Sequence, residues 1–495
     1  MNAAAAPALQ STRVIIAPVK VLIPFLAAAL AWTPAPAADT LPNLGDASAS
    51  ALSPQQERQL GESIMRQIRA SRQYFDDPDC TDYINALGYR LVQNSQNPEQ
   101  PFVFFLVDDP QINAFALPGG FIGVNTGLIV IAQSESELAA VLAHEIAHVT
   151  QKHIARMFQQ QKQAGIASLA ALAVAILAAR SSPDLASAAV AGSQYASTQT
   201  MLNFTRDNER EADRVGLQTL DRSGFDPEAM PAFLERMQRA YRVYDSNAPS
   251  YMRTHPLTYE RIADVQSRVE EFRYRQVPDS LEFQVVRARL QVLSMQPRDA
   301  VVRYDDILKE KKSVSEIPPR YALTLALLRG KEIERARRES VTLRKDAPDD
   351  PMVLNLVGEV LMAAGDGKAA LELYSAAVER FPRRRALVYS YANALLNAKR
   401  WQDALKLVTE AIATLPADQR LYRLQARAYA GLGQRLEEHR AQAEAYVLMG
   451  SVPAAIEQLQ IGLRSGDGNY YQMSSAEARL KQLRELDAEN RKASK

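Results

Sequence analysis

The chain has 495 residues, 47% of them hydrophobic, and its 58 Lys and Arg nearly cancel 57 Asp and Glu. That length supports two or three domains with cores of their own, and with the charge balanced nothing argues for a nucleic-acid footprint or a charged membrane surface. The single cysteine, Cys80, excludes an intramolecular disulfide and reads as a small, half-buried thiol.

At the N-terminus, Arg13 and Lys20 precede the apolar run Val21 to Trp32, and Pro34-Ala35-Pro36-Ala37-Ala38 follows. This is the charged, apolar, small-residue order of a secretory signal, with Ala35 and Ala37 at the −3 and −1 cleavage positions. Pro18 and Pro24 interrupt the stretch and leave the unbroken part too short to span a bilayer, which argues against a retained anchor. The expectation is a signal peptide over residues 1–37, a flexible lead-in over 38–52, and a mature chain working outside the cytoplasm.

A helix is predicted from Ser53, where a capping serine, Pro54 at the first helical position and Gln56 in the capping-box position succeed one another. Periodic sequence continues to about Asn94. Phe102 to Val107 then reads as a buried strand and Phe121 to Val124 as a second, with Pro118-Gly119-Gly120 turning the chain between them. The second strand is a candidate sheet edge for pairing with extended substrate. From Ser134 the pattern is helical again, with Ser134 and Glu137 forming a capping box ahead of Leu138, Val141 and Leu142.

That helix carries His144-Glu145-Ile146-Ala147-His148, the HExxH pattern. Residues i and i+4 share a helix face, so both imidazoles reach one ion, and Glu145 sits beside it as a general base. Bare HExxH occurs by chance in unrelated chains. Here the chain has only five histidines, two of them at this spacing, and the helix is predicted from its own cap.

The third ligand is sought in Asn208-Glu209-Arg210-Glu211-Ala212-Asp213. Glu209 and Glu211 point about 200° apart on a helix. Glu209 shares its face with Asp213, Gly216, Leu217 and Leu220, an inward stripe, whereas Glu211 shares its face with Arg214, Gln218 and Arg222. Glu209 is therefore the predicted ligand and Glu211 a surface ion-pair partner. Asp213, one turn on, is suited to accept the second ring N–H of a ligand histidine.

His153 falls off the metal face and reads as structural, and His439, far downstream, as solvated. His255 lies in Thr254-His255-Pro256-Leu257, where proline ends any helix. Placed after the ligand helix, it is a candidate either to polarise the transition state or to cap the ion's open position as a latch. Between the two metal motifs, Ala164 to Ala179 is apolar and alanine-rich, at the margin of a membrane span. It reads as a buried or lid helix, or as a point of peripheral membrane contact.

The C-terminal part repeats. Pro348, Pro382 and Pro416 are 34 residues apart, as are Gly358, Ala392 and Ala426, and Ala370 and Ala404. A 34-residue helix-turn-helix period with small residues where helices touch is the tetratricopeptide signature. Ala443 and Ala455 restart the pairing in a further hairpin, while Leu281 to Arg344 is helical with a degenerate repeat.

The HExxH at His144 to His148, the Glu209-Arg-Glu-Ala-Asp213 segment and the Asn113-Ala-Phe-Ala-Leu-Pro-Gly-Gly120 stretch together resemble the M48 family of zinc peptidases. In that family the first glutamate of ExxxD is the ligand, which agrees with the face argument for Glu209. The expected fold is mainly α: a zincin-like α+β metallopeptidase domain with a small sheet over 53–275, then a tetratricopeptide-repeat solenoid over 276–490. One Zn2+ per chain is expected. The resemblance, with the signal and the repeats, implies a periplasmic endopeptidase for unfolded or stalled outer-membrane proteins that also assists their assembly. Its repeats would dock on outer-membrane assembly machinery. Two other readings stand beside it: a largely non-proteolytic chaperone or adaptor docking through its repeats, and a membrane-embedded peptidase, for which one marginal apolar segment is thin support.

Overall fold

The computed structural model describes residues 53–160, 205–243, 250–311, 313–415 and 417–493. The expected signal peptide and lead-in, the Ala164 to Ala179 segment and Pro416 lie outside them. Among the described residues no helix is long and apolar enough to cross a membrane.

Helix α1 (Pro54–Ala70) begins as its sequence dictates: Gln56 N–H donates to the Ser53 hydroxyl, and the Gln56 side chain accepts from Ser53 N–H. Its buried face, Leu60, Ile64, Met65 and Ile68, packs on one side of a small sheet, against Phe105, Val107, Leu117 and Phe121. Helix α2 (Pro78–Val92) covers the other side, with Tyr83, Ile84, Leu87 and Leu91 against Phe104 and Leu106. Alternate residues of one strand thus feed two cores. Cys80 is fully buried there, where half-burial was expected, and burial pushes its thiol pKa well up.

Among the described residues the sheet has three strands, β1 (Val103–Val107), β2 (Ala114–Leu117) and β3 (Phe121–Asn125), in the order β1-β3-β2. β3 runs parallel to β1 and antiparallel to β2. This overturns the expectation that Phe121 to Val124 forms an edge: β3 is the central strand and every residue of it is buried. The reason lies at Gly123, where a Cβ would fall 2.4 Å from Phe115 Cζ and 2.8 Å from Phe105 Cζ. Rings from both flanking strands close over that glycine, so the strand needs a neighbour on each side.

After α3 (Thr126–Ile131) comes α4 (Glu135–Thr150), buried from Glu135 to Val149. Glu137 N–H donates to Ser134 Oγ as predicted, but the Glu137 carboxylate accepts from Gln133 N–H, at 2.8 Å, so only half of the capping box forms. That carboxylate also pairs with Arg236. The chain continues through α5 (His153–Gln160), α6 (Arg206–Arg222), α7 (Ala229–Val243), α8 (Ser250–Thr254) and α9 (Tyr259–Val269). Gly216 allows α6 to lie on α4, since a Cβ there would stand 3.1 Å from His144 Cα.

Among the described residues twelve helices follow: α10 (Leu281–Leu293), α11 (Pro297–Lys309), α12 (Ile317–Arg329), α13 (Ile333–Asp346), α14 (Pro351–Ala363), α15 (Gly367–Arg380), α16 (Arg385–Asn397), α17 (Trp401–Thr414), α18 (Gln419–Gly431), α19 (Arg435–Leu448), α20 (Val452–Leu463) and α21 (Tyr470–Ala493). The small residues of the 34-residue period sit where helices meet. Ala370, Ala392, Ala404, Ala443 and Ala455 are fully buried, and Tyr374 lies against Gly358.

The acidic start of α2 docks into these helices. Arg289 of α10 forks onto Asp77 at 2.8–3.1 Å, Asn355 of α14 donates to Asp79, and Arg385 of α16 binds Asp82. Arg420 of α18 reaches Asp76. Beneath this row one hydrophobic core runs without a break from Cys80 to Ala394.

Candidate metal centre

Two helices crossing at Gly216 create the site. On α4, His144 and His148 are one turn apart and direct their Nε2 atoms toward one another, 3.0 Å apart. On α6, Glu209 presents its carboxylate 3.5 Å from His144 Nε2 and 3.4 Å from His148 Nε2. The two faces of α6 differ in burial: Glu209, Asp213, Gly216, Leu217 and Leu220 are all buried, while Arg214 and Arg222 are exposed. His255, just after α8, brings Nδ1 to 3.1 Å from Glu209 Oε1 and 3.3 Å from His144 Nε2. Ligand atoms of His144, His148, Glu209 and His255 all lie within 4.8 Å of one another.

Around this cluster stand the groups that orient it. Asp213 Oδ1 is 2.9 Å from His144 Nδ1, the relation expected from its place one turn beyond Glu209. Glu145 is completely buried beside the cluster, with Oε1 3.3 Å from His255 Nε2. Burial raises its carboxyl pKa, and the charges of His255 and His144 oppose the rise. Glu211 lies on the outer face, as expected, paired with Arg156 at 2.9 Å. It also meets His153, whose other nitrogen is 2.9 Å from His148 Nδ1, so that histidine is more closely tied to the site than its helix face suggested. His439 is half-buried in the repeats on Gln458, where solvation was expected.

Arg261 of α9 escaped the sequence reading. It is buried, forks onto Asp213 through Nε and Nη2 at 2.7 and 2.8 Å, and places Nη1 2.6 Å from Glu209 Oε2. Its one sequence signal is weak: an arginine in the apolar stripe with Ile262 and Val265.

The donor set fits a divalent cation. Glu209 and Asp213 face the buried Arg261 guanidinium and Glu145 lies buried beside His255, so three carboxylates share one fixed positive charge and two negative charges remain to be met. Against the opposing effect of burial, Asp213 and Glu209 push the His144 pKa up to about 10. Asp213 and Glu209 are themselves held low, because Arg261 and the histidines outweigh their burial. Two imidazole nitrogens and a carboxylate oxygen converging from two helices is a zinc-type set.

Comparison with known proteins agrees. Residues 78–269 match peptidase family M48 and residues 361–428 match a tetratricopeptide repeat. The β-barrel assembly-enhancing protease of Escherichia coli K12 is 36% identical over 462 residues, covering 91% of this chain and 93% of that one. Its Yersinia pestis namesake is 34% identical over 93% of this chain and 95% of its own. The mitochondrial metalloendopeptidase OMA1 of Schizosaccharomyces pombe is 31% identical over 191 residues, 39% of this chain and 53% of its own. The chain belongs to the M48 family of metallopeptidases, with tetratricopeptide repeats following its peptidase region.

Proposed function

We propose that the chain is a periplasmic zinc endopeptidase that degrades misfolded or stalled outer-membrane proteins and assists the assembly of others. The observation that carries the peptidase reading is the convergence of His144, His148 and Glu209 with the buried Glu145 beside them. The client class is supported by the printed name of relatives matched over nine-tenths of the chain. The same name, with the repeats, supports docking on outer-membrane assembly machinery.

His144, His148 and Glu209 would hold one zinc ion, which when bound supplies Lewis-acid polarisation of water and of the scissile carbonyl. The chain's own residues do the rest. Asp213 fixes the His144 ring with Nδ1–H toward it and Nε2 inward. Arg261 keeps both acidic partners ionised. Glu145, its pKa raised by burial, is suited to take a proton from the attacking water and return it to the leaving amine. His255 Nδ1 stands among the atoms that would hold the ion, 3.1 Å from Glu209 Oε1 and 3.3 Å from His144 Nε2, which supports the latch over the transition-state reading.

The same observation supports a second reading. A site buried in this way, with His255 inside it, suits a protein that acts mainly as a chaperone or adaptor and cleaves seldom. The proposal is tested by metal analysis of the purified chain. One zinc per chain is expected, retained in Glu145→Gln and lost in His144→Ala, His148→Ala and Glu209→Ala. Zinc that persists without both histidines overturns the assignment.

A further inference from the structure

Resting on His144, His148 and Glu209 as zinc ligands, we propose that His153 and Glu211 are positioning residues that set the tautomer of His148. Together they aim its Nε2 lone pair at the ion.

His148 and His153 are both completely buried, and their Nδ1 atoms stand 2.9 Å apart. Two ring nitrogens at that separation share one proton. If the proton sits on His153, the Nδ1 of His148 is an acceptor, its own proton moves to Nε2, and no lone pair faces the ion. If it sits on His148, Nε2 is bare and points at His144 Nε2 and Glu209, 3.0 and 3.4 Å away. Only the second arrangement ligates a cation.

Glu211 selects it. Its Oε2 is 3.1 Å from His153 Nε2 and 2.9 Å from Arg156 Nη1. A carboxylate held by a guanidinium is an acceptor only, so His153 keeps its proton at Nε2 and offers a bare Nδ1 to His148. His144 reaches a carboxylate directly, through Asp213, and His148 reaches one through an intervening imidazole. Each ligand histidine thus ends on a carboxylate.

The backbone is bent to allow this. Between α4 and α5, Lys152 adopts φ 54°, the left-handed conformation of a helix-ending turn. The turn carries His153 back beneath the His148 ring, and Glu211 arrives from α6.

The experiment measures zinc affinity by competition with a chromophoric chelator, in wild type, His153→Phe and His153→Gln, with the melting temperature of each metal-free protein as the folding control. His153→Phe keeps the ring and loses the acceptor, so its zinc Kd is expected to rise about 10- to 100-fold at unchanged metal-free melting temperature. His153→Gln, whose amide oxygen can accept from His148 Nδ1–H, should recover most of that loss. Histidine-15N NMR of the zinc-loaded wild type should show His148 protonated at Nδ1 and His153 at Nε2, and this decides the matter alone if His153→Phe does not fold. A Kd for His153→Phe within about twofold of wild type overturns the proposal, as does a proton on His153 Nδ1. A wild-type chain that binds no zinc removes the ligand assignment beneath it, a failure distinguishable because it needs no variant.

Discussion

His255 holds its Nε2 3.3 Å from Glu145 Oε1, with both side chains buried. The residue proposed to fill the ion's last position therefore also touches the proposed general base, so one movement of the loop would free both. His255→Ala should raise peptide-bond cleavage by on the order of 10-fold, the gain for a site open about a tenth of the time. Steady-state cleavage of an unfolded protein checks it. Loss of activity would instead assign His255 to the transition state.

Arg261 is expected to matter more for folding than for chemistry. Its loss strands Asp213 and Glu209 in a dry interior, and breaking such a buried pair costs about 3–5 kcal/mol. Urea unfolding of metal-free Arg261→Met should show that loss. Added zinc should restore part of it by neutralising the same carboxylates. A variant as stable as wild type without metal contradicts the charge argument.

Where α2 meets the repeats, the Asp79 carboxyl is pushed up from its ordinary 3.8 to about 8 by burial, against the pull of Arg289. Arg289 spends its fork on Asp77 and comes only within 3.9 Å of Asp79. A folded-state pKa above the unfolded one gives stability that is fully present below pH 3.8 and is lost as pH rises toward about 8. Asp79→Asn keeps an acceptor for Asn355 and removes that loss. Its melting temperature should match wild type near the acid end of the window and exceed it progressively toward the alkaline end. Parallel curves would overturn this.

In the repeats, a Cβ at Gly358 would stand 2.3 Å from Tyr374 Cζ. Overpacking costs about 1–3 kcal/mol, and the better helix propensity of alanine returns at most about 1. Gly358→Ala should therefore destabilise the chain by about 1 kcal/mol in denaturant unfolding. A stabilised variant would show that the two helices separate freely.

What could be read from the sequence was whatever a helix face encodes. His144, His148, Glu209 and Asp213 sit on inward stripes of two helices, so period alone brought them to one point. The small residues at Gly358, Ala392 and Ala426 announced the helix pairs in the same way. What depended on contacts between distant segments was hidden. β2 is four residues long and has too little alternation to register, so β3 reads as an edge in the sequence. Arg261 becomes a site residue only when α9 packs on α6. His153 is off the metal face of α4, and reaches His148 because the chain reverses at Lys152.

The most direct test compares degradation of an unfolded outer-membrane protein by the His255→Ala chain and by the same chain carrying Glu145→Gln, with zinc quantified in both. Removing the latch ensures that silence cannot be put down to a closed site. The account predicts equal zinc and a loss of cleavage of about 10²–10⁴-fold on removing the base. Equal cleavage by the two chains, with zinc bound in both, would contradict it.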